Sequence, residues 1–122
     1  MATILIVEDN PANMKLAVFL LQAEGYTVLS AADAESGIAL ARDACPSLIL
    51  MDIQLPGMDG LEAISLLKSN EATCAIPVIA LTALAMKGDE ERIRAAGCDG
   101  YIAKPIRYKD FLATVATRLA KP

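Results

Sequence analysis

The chain has 122 residues, room for one ordinary domain and too few for two. Its 55% hydrophobic and 21% charged residues allow a packed core and exclude a disordered chain. A net charge of −4, from 11 basic and 15 acidic residues, argues against nonspecific nucleic-acid binding, and the absence of His excludes the usual zinc spacings and any Cys-His dyad.

The N-terminus has neither a basic stretch nor an apolar run of signal-peptide length, and no later run approaches a membrane span. A soluble cytoplasmic domain without nucleic-acid or membrane partners is expected. The first apolar run is Ile4–Val7, followed by Glu8 and Asp9. Asn10 then reads as a helix N-cap with Pro11 at the first helical position, and Gly25 closes that helix. A second run spans Tyr26–Leu29, and a second helix carries Ala34, Ile38 and Ala41 on one face. The third run, Leu48–Met51, is the most apolar, and Asp52 ends it. Asp59 and Glu62 resemble a capping box ahead of Leu61, Ile64 and Leu67. Val78–Leu81 is the fourth run. A helix near residues 85–96 has a polar block at 87–92 and a thin stripe of Met86, Ile93 and Ala96, so it is expected to be the least firmly docked. Tyr101–Ala103 is the fifth run, and the last helix presents Phe111, Leu112, Val115 and Leu119. Cys45, Cys74 and Cys98 form no C-x-x-C pair and are expected to be small buried hydrophobes.

Apolar runs that do not alternate suit strands covered on both faces, as in a parallel sheet. The chain therefore reads as an α/β protein, a (βα)5 doubly wound five-stranded parallel sheet with helices on both faces. By analogy with small folds of this kind, the strand order is 2-1-3-4-5, with ligands at the carboxyl ends of strands 1 and 3.

That reading delivers polar residues from four strand ends to one crevice: Glu8 and Asp9, Asp52, Thr82 and Lys104. Three carboxylates there repel unless cations intervene, and Lys104 leaves about two negative charges, which suits a divalent ion. All-oxygen ligands select a hard cation, Mg²⁺ before Ca²⁺. Phosphoryl transfer, mostly positioning and charge neutralisation, fits such a site. Asp52, exposed at the crevice, is the expected nucleophile. Asp9 and Asp52 would hold the metal, while Lys104 and Thr82 contact the phosphoryl oxygens. Taken singly, Glu8-Asp9 could be a solvated turn, Thr82 a cap and Lys104-Pro105 a surface turn; their placement at successive strand ends carries the functional reading.

Over essentially its whole length the sequence resembles the receiver domain of two-component response regulators. The resemblance is carried by Ile4–Asn10, Leu48–Gly60, Ile79–Ala83 and Tyr101–Pro105. The blocks Ala85–Arg94 and Gly97-Cys98 are similar to those of single-domain receivers of the DivK type, which implies a role in cell-cycle or polarity control. By position, the resemblance implies that Asp52 is the phosphoacceptor, with phosphate contacts from Thr82, Ala83 and Lys104. It implies Mg²⁺ (with Mn²⁺ or Ca²⁺ able to substitute) on Asp9, Asp52 and the Gln54 carbonyl, with Glu8 acting through a water. Glu8 stands where the family more commonly has Asp. Thr82 and Tyr101 would form the switch, Lys104-Pro105 would be a cis peptide, and Gln54 and Leu84 sit where hydrolysis is tuned. The protein is then a phosphorylation-dependent switch and not an enzyme on an outside substrate, although it assists its own phosphotransfer and autodephosphorylation.

Lacking His, the chain cannot donate a phosphohistidine itself. The donor is expected to be a sensor histidine kinase or a histidine phosphotransfer protein, and the readout a partner on the helix 4–strand 5–helix 5 surface of a monomer or weak dimer. The chain ends soon after the fifth helix, so one receiver at residues 1–122 without an output domain is expected; a receiver cut from a larger regulator or hybrid kinase would read the same. A flavodoxin-like carrier is disfavoured because Glu8-Asp9 would repel a flavin phosphate. A haloacid-dehalogenase-like phosphatase needs a second Asp two residues after the nucleophile, where this chain has Gln54.

Overall fold

The computed structural model describes residues 2–83 and 87–120, except for the side chains of 87–90 and 120. Five strands alternate with five helices: β1 (Thr3–Val7), α1 (Pro11–Ala23), β2 (Thr27–Ala31), α2 (Ala34–Ala44), β3 (Leu48–Asp52), α3 (Gly60–Ser69), β4 (Val78–Thr82), α4 (Lys87–Ala95), β5 (Gly100–Ala103) and α5 (Tyr108–Ala120). All neighbours pair in parallel, in the order β2-β1-β3-β4-β5. Both the doubly wound class and the strand order agree with the sequence reading.

Alternation along each strand divides the core in two. Ile4, Ile6, Leu48, Leu50, Ile79 and Leu81 pack with Ala17 and Leu21 of α1 and Phe111 and Val115 of α5. Leu5, Val7, Ile49, Met51, Val78 and Ala80 pack with Ala34 and Ala41 of α2, Ala63, Ile64 and Leu67 of α3, and Ile93 of α4. Every residue of β3 and β4 is buried, as expected of strands covered on both faces. β2 differs. It begins one residue later than the apolar run suggests and, as an edge strand, leaves Thr27 and Ser30 exposed.

The helix ends follow their capping chemistry. The Asn10 side chain accepts from Asn13 N at 3.0 Å, with Pro11 at the start of α1. Asp33 caps α2 by accepting from Ser36 N at 2.8 Å. Asp59 caps α3 through Leu61 N at 2.8 Å, and among the described residues no bond returns from Glu62, so only half of the expected box forms. Along α4, Ile93 is the buried side chain among those described, consistent with a thin apolar stripe. Met86 and Leu84 lie outside the described residues.

The cysteines correct the sequence reading: Cys45 and Cys74 are exposed and Cys98 is half-buried. Cys45 is the left-handed C-cap of α2, at φ 46°, and Cys74 lies in the turn after α3. Backbone geometry at helix ends placed them, not side-chain hydrophobicity.

A staple that the sequence did not reveal closes the opposite end of the sheet. Lys68 Nζ donates to Ile76 O at 2.8 Å and to Asp99 Oδ2 at 2.9 Å. The same Asp99 oxygen accepts from Val78 N at 2.8 Å. One half-buried ion pair thus ties α3 to the starts of β4 and β5.

Candidate functional site

The site is built by strand alternation carried past the strand ends. Glu8 follows Ile6, Asp52 follows Leu50 and Lys104 follows Ile102, each two residues on, so all three continue rows that face α1 and α5. Backbone bonds prolong the sheet there. Glu8 N donates to Ala31 O at 3.0 Å, Ile53 N to Leu81 O at 3.1 Å and Lys104 N to Thr82 O at 2.7 Å.

Lys104 bridges the acids. Its Nζ lies 2.7 Å from Glu8 Oε1 and 3.0 Å from Asp52 Oδ2. Asp52 Oδ1 accepts from Gln54 N at 2.9 Å. The peptide after the lysine, Lys104–Pro105, is cis. Asp52 is only 2% exposed, which corrects the expectation of an acid open at the crevice. Its two oxygens are covered by the lysine and by the turn that follows the strand.

Glu8 is equally buried, and its Oε2 has no hydrogen-bond partner. Burial, then the nearby Asp52, holds its carboxyl above the ordinary range, and Lys104 opposes this only in part. For Lys104, burial pulls downward, but the hydrogen bonds and charges of Glu8 and Asp52 outweigh it and raise the ammonium pKa. A lysine that holds its proton between two acids neutralises one of them. A second positive charge is still wanted.

Asp9 is exposed at the rim, and one oxygen each from Glu8, Asp9 and Asp52 lies within 4.8 Å of the others. The unpartnered Glu8 oxygen and this all-carboxylate set fit a hard divalent cation. Thr82 is fully buried at the tip of β4. Tyr101 is 38% exposed and pairs in register with Ala80, two residues before Thr82, so both belong to the row facing away from α1 and α5. Ala83 follows at the surface.

One contributor had no role in the sequence reading. Gly60 begins α3 directly beneath the strand tip, where a Cβ would collide with the Asp52 carbonyl and with Ile53 Cα. The only signal was a glycine at a helix start close behind the acid-bearing strand.

A parallel five-stranded sheet gathering acids and a lysine at its carboxyl edge defines a class of phosphorylation-dependent signalling domains. Residues 4–116 match the response regulator receiver domain, and the chain belongs to that family, whose members are switches and not classical enzymes. It is 50% identical over 117 residues to the polar-differentiation response regulator DivK of Brucella ovis, a match covering 96% of this chain and 95% of that protein. Among solved structures, it resembles the receiver domain of the sensor histidine kinase PA1611 of Pseudomonas aeruginosa, which has a magnesium ion coordinated in its active site cleft. That likeness has a TM-score of 0.91 at 34% identity and covers 98% of each chain. The chemotaxis protein CheY4 of Vibrio cholerae is similar at TM-score 0.91 and 27% identity, over 96% of this chain and 98% of that one.

Proposed function

We propose that this protein accepts a phosphoryl group on Asp52 from a histidine kinase or histidine phosphotransfer protein and signals by docking onto partner proteins. The observation that carries the reading is the ion cluster in which Lys104 joins Asp52 to Glu8, beside Asp9 and a buried carboxylate oxygen with no partner. The protein is read as a cytoplasmic, monomeric or weakly dimeric single receiver, and the match over 95% of the DivK relative supports the single-receiver part of that reading. That relative's name, with its reference to polar differentiation, supports a role in cell polarity or the cell cycle.

Asp9, Asp52 and the Gln54 carbonyl would hold Mg²⁺, assisted by Glu8, and Mn²⁺ or Ca²⁺ could substitute. When bound, the ion supplies the charge that lets one anion approach another. A carboxylate oxygen of Asp52 attacks the donor's phosphorus, the P–N bond breaks, and the imidazole leaves with the electron pair and takes up a proton. Lys104 exchanges its bond to Asp52 for one to a phosphoryl oxygen, while Thr82 and the backbone of Ala83 take the others. Gathering of Thr82 toward the phosphate opens the row that it shares with Tyr101, which turns inward and reshapes the α4–β5–α5 surface. Water attack on the acyl phosphate, assisted by the same groups, resets the switch.

Incubation with acetyl phosphate and Mg²⁺, followed by intact mass measurement, tests this reading. The wild type gains one phosphoryl group, and neither Asp52→Asn nor EDTA-treated protein does. A gain that survives Asp52→Asn sinks the assignment.

A further inference from the structure

Helix α3 runs from the tip of β3 to the opposite end of the sheet. Its first residue, Gly60, lies against the Asp52 carbonyl and Ile53 Cα with no room for a Cβ, and Gly60 N donates to Ile53 O at 3.3 Å. The turn between strand and helix is also bonded back onto the acid, through Gln54 N and Asp52 Oδ1 at 2.9 Å. Backbone meets backbone here without a side chain to absorb a shift, so the strand tip and the helix start move together. Ala63, Ile64 and Leu67 are buried along the same helix. Close-packed elements transmit a displacement instead of damping it. From Gly60 to Lys68 the helical rise is about 12 Å.

At its far end α3 grips the turn that joins α4 to β5. Lys68 Nζ donates to Asp99 Oδ2 and to Ile76 O, and Thr73 Oγ1 fixes the last turn of the helix by donating to Leu67 O at 2.6 Å. Asp99 is locked to β4 in both directions: its Oδ2 accepts from Val78 N and its own N donates to Val78 O, each at 2.8 Å. The lysine stem is a seat as well. Gly97, just past α4 and left-handed at φ 102°, lies so close that a Cβ would come within 3.0 Å of Lys68 Cγ. An exposed ion pair contributes little to a fold. This one is half-buried, shares its ammonium with a backbone carbonyl and supports a glycine turn. Along α4, Ile93 is the buried side chain among those described, so the helix is held chiefly near this end.

We infer that Lys68 is a positioning residue that couples Asp52 to the α4–β5 turn through α3, on a path separate from Thr82 and Tyr101. Phosphorylation of Asp52 shifts the turn between Asp52 and Gly60, α3 carries that shift to Lys68, and Lys68 moves Gly97 and Asp99 and with them the base of α4. The inference rests on the reading of Asp52 as the phosphoacceptor and adds a second route out of that site.

The test is amide NMR of the isotopically labelled full chain in Mg²⁺, before and after acetyl phosphate, with the phosphoryl gain confirmed by intact mass in each sample. In the wild type, phosphorylation is expected to shift Gly60, Lys68, Gly97 and Asp99. In Thr82→Ala the shifts at Gly97 and Asp99 should persist. In Lys68→Met the shift at Gly60 should persist, while those at Gly97 and Asp99 fall to about half or less. Asp99→Asn, which keeps an acceptor for Val78 N, should weaken the Gly97 shift likewise, and the double variant no further than either alone, because the two form one link. Dispersed spectra before phosphorylation establish that each variant folds. A merely structural lysine would cost stability and leave these phosphorylation-dependent shifts intact. A full Gly97 shift in both Lys68→Met and Asp99→Asn overturns the inference. So does its loss in Thr82→Ala, which would assign all coupling to Thr82. A wild type that gains no phosphoryl group overturns the Asp52 reading itself, whereas a gain with no shift at Gly97 or Asp99 overturns only the path through α3.

Discussion

Glu8 has one oxygen bound by Lys104 and the other buried without a partner, 2% exposed beside a second acid. Its carboxyl is held above the ordinary value of 4.5, first by burial and then by Asp52. A raised acid holds its proton more tightly folded than unfolded, so the metal-free protein loses stability as pH rises from 4.5 through the folded value. Glu8→Gln removes that loss. In EDTA at neutral pH the variant should be more stable than wild type by about 1 kcal/mol, read from urea unfolding, and the difference should close below the ordinary carboxylate range. The same variant should bind Mg²⁺ more weakly, because one member of the acidic cluster is gone. A variant less stable than wild type at neutral pH would mean that the Lys104 bond outweighs burial and repulsion.

Among the elements, β3 and α3 are coupled at the site by the closeness of Gly60 to the Asp52 carbonyl. Gly60→Ala keeps an acceptable helix residue but forces apart the strand tip and the helix start. It should cost about 1–3 kcal/mol and slow acetyl phosphate labelling of Asp52, measured by urea unfolding and by intact mass against time. Unchanged labelling would show that the tip tolerates the shift. The caps at Asn10 and Asp59 were legible in the sequence because capping needs only neighbours within a turn. The Lys68–Asp99 staple was not, because its partners are far apart in the chain and each reads alone as a surface charge. Nor were the exposed cysteines, whose positions follow from where helices end.

At the scale of the molecule, one sheet serves two cores. Leu50 faces α1 and α5, its neighbour Met51 faces α2 and α3, and both are fully buried. Leu50→Ala and Met51→Ala should therefore each cost about 2–5 kcal/mol, whereas Leu29→Ala, half-buried on the edge strand, should cost clearly less. Urea unfolding midpoints of the three variants check this, and a Leu29 loss as large as the others would contradict the layering.

The sequence by itself determined the alternation of apolar runs and amphipathic helices, hence the parallel sheet and the delivery of Glu8, Asp9, Asp52, Thr82 and Lys104 to one edge. Side-chain period and crossover handedness are local rules, so they can be read along the chain. Only the tertiary structure decided that Asp52 is buried, that Lys104 bridges it to Glu8, and that one Glu8 oxygen is left without a partner. Those facts depend on distances between residues from β1, β3 and the end of β5, which are neighbours only after the sheet has formed.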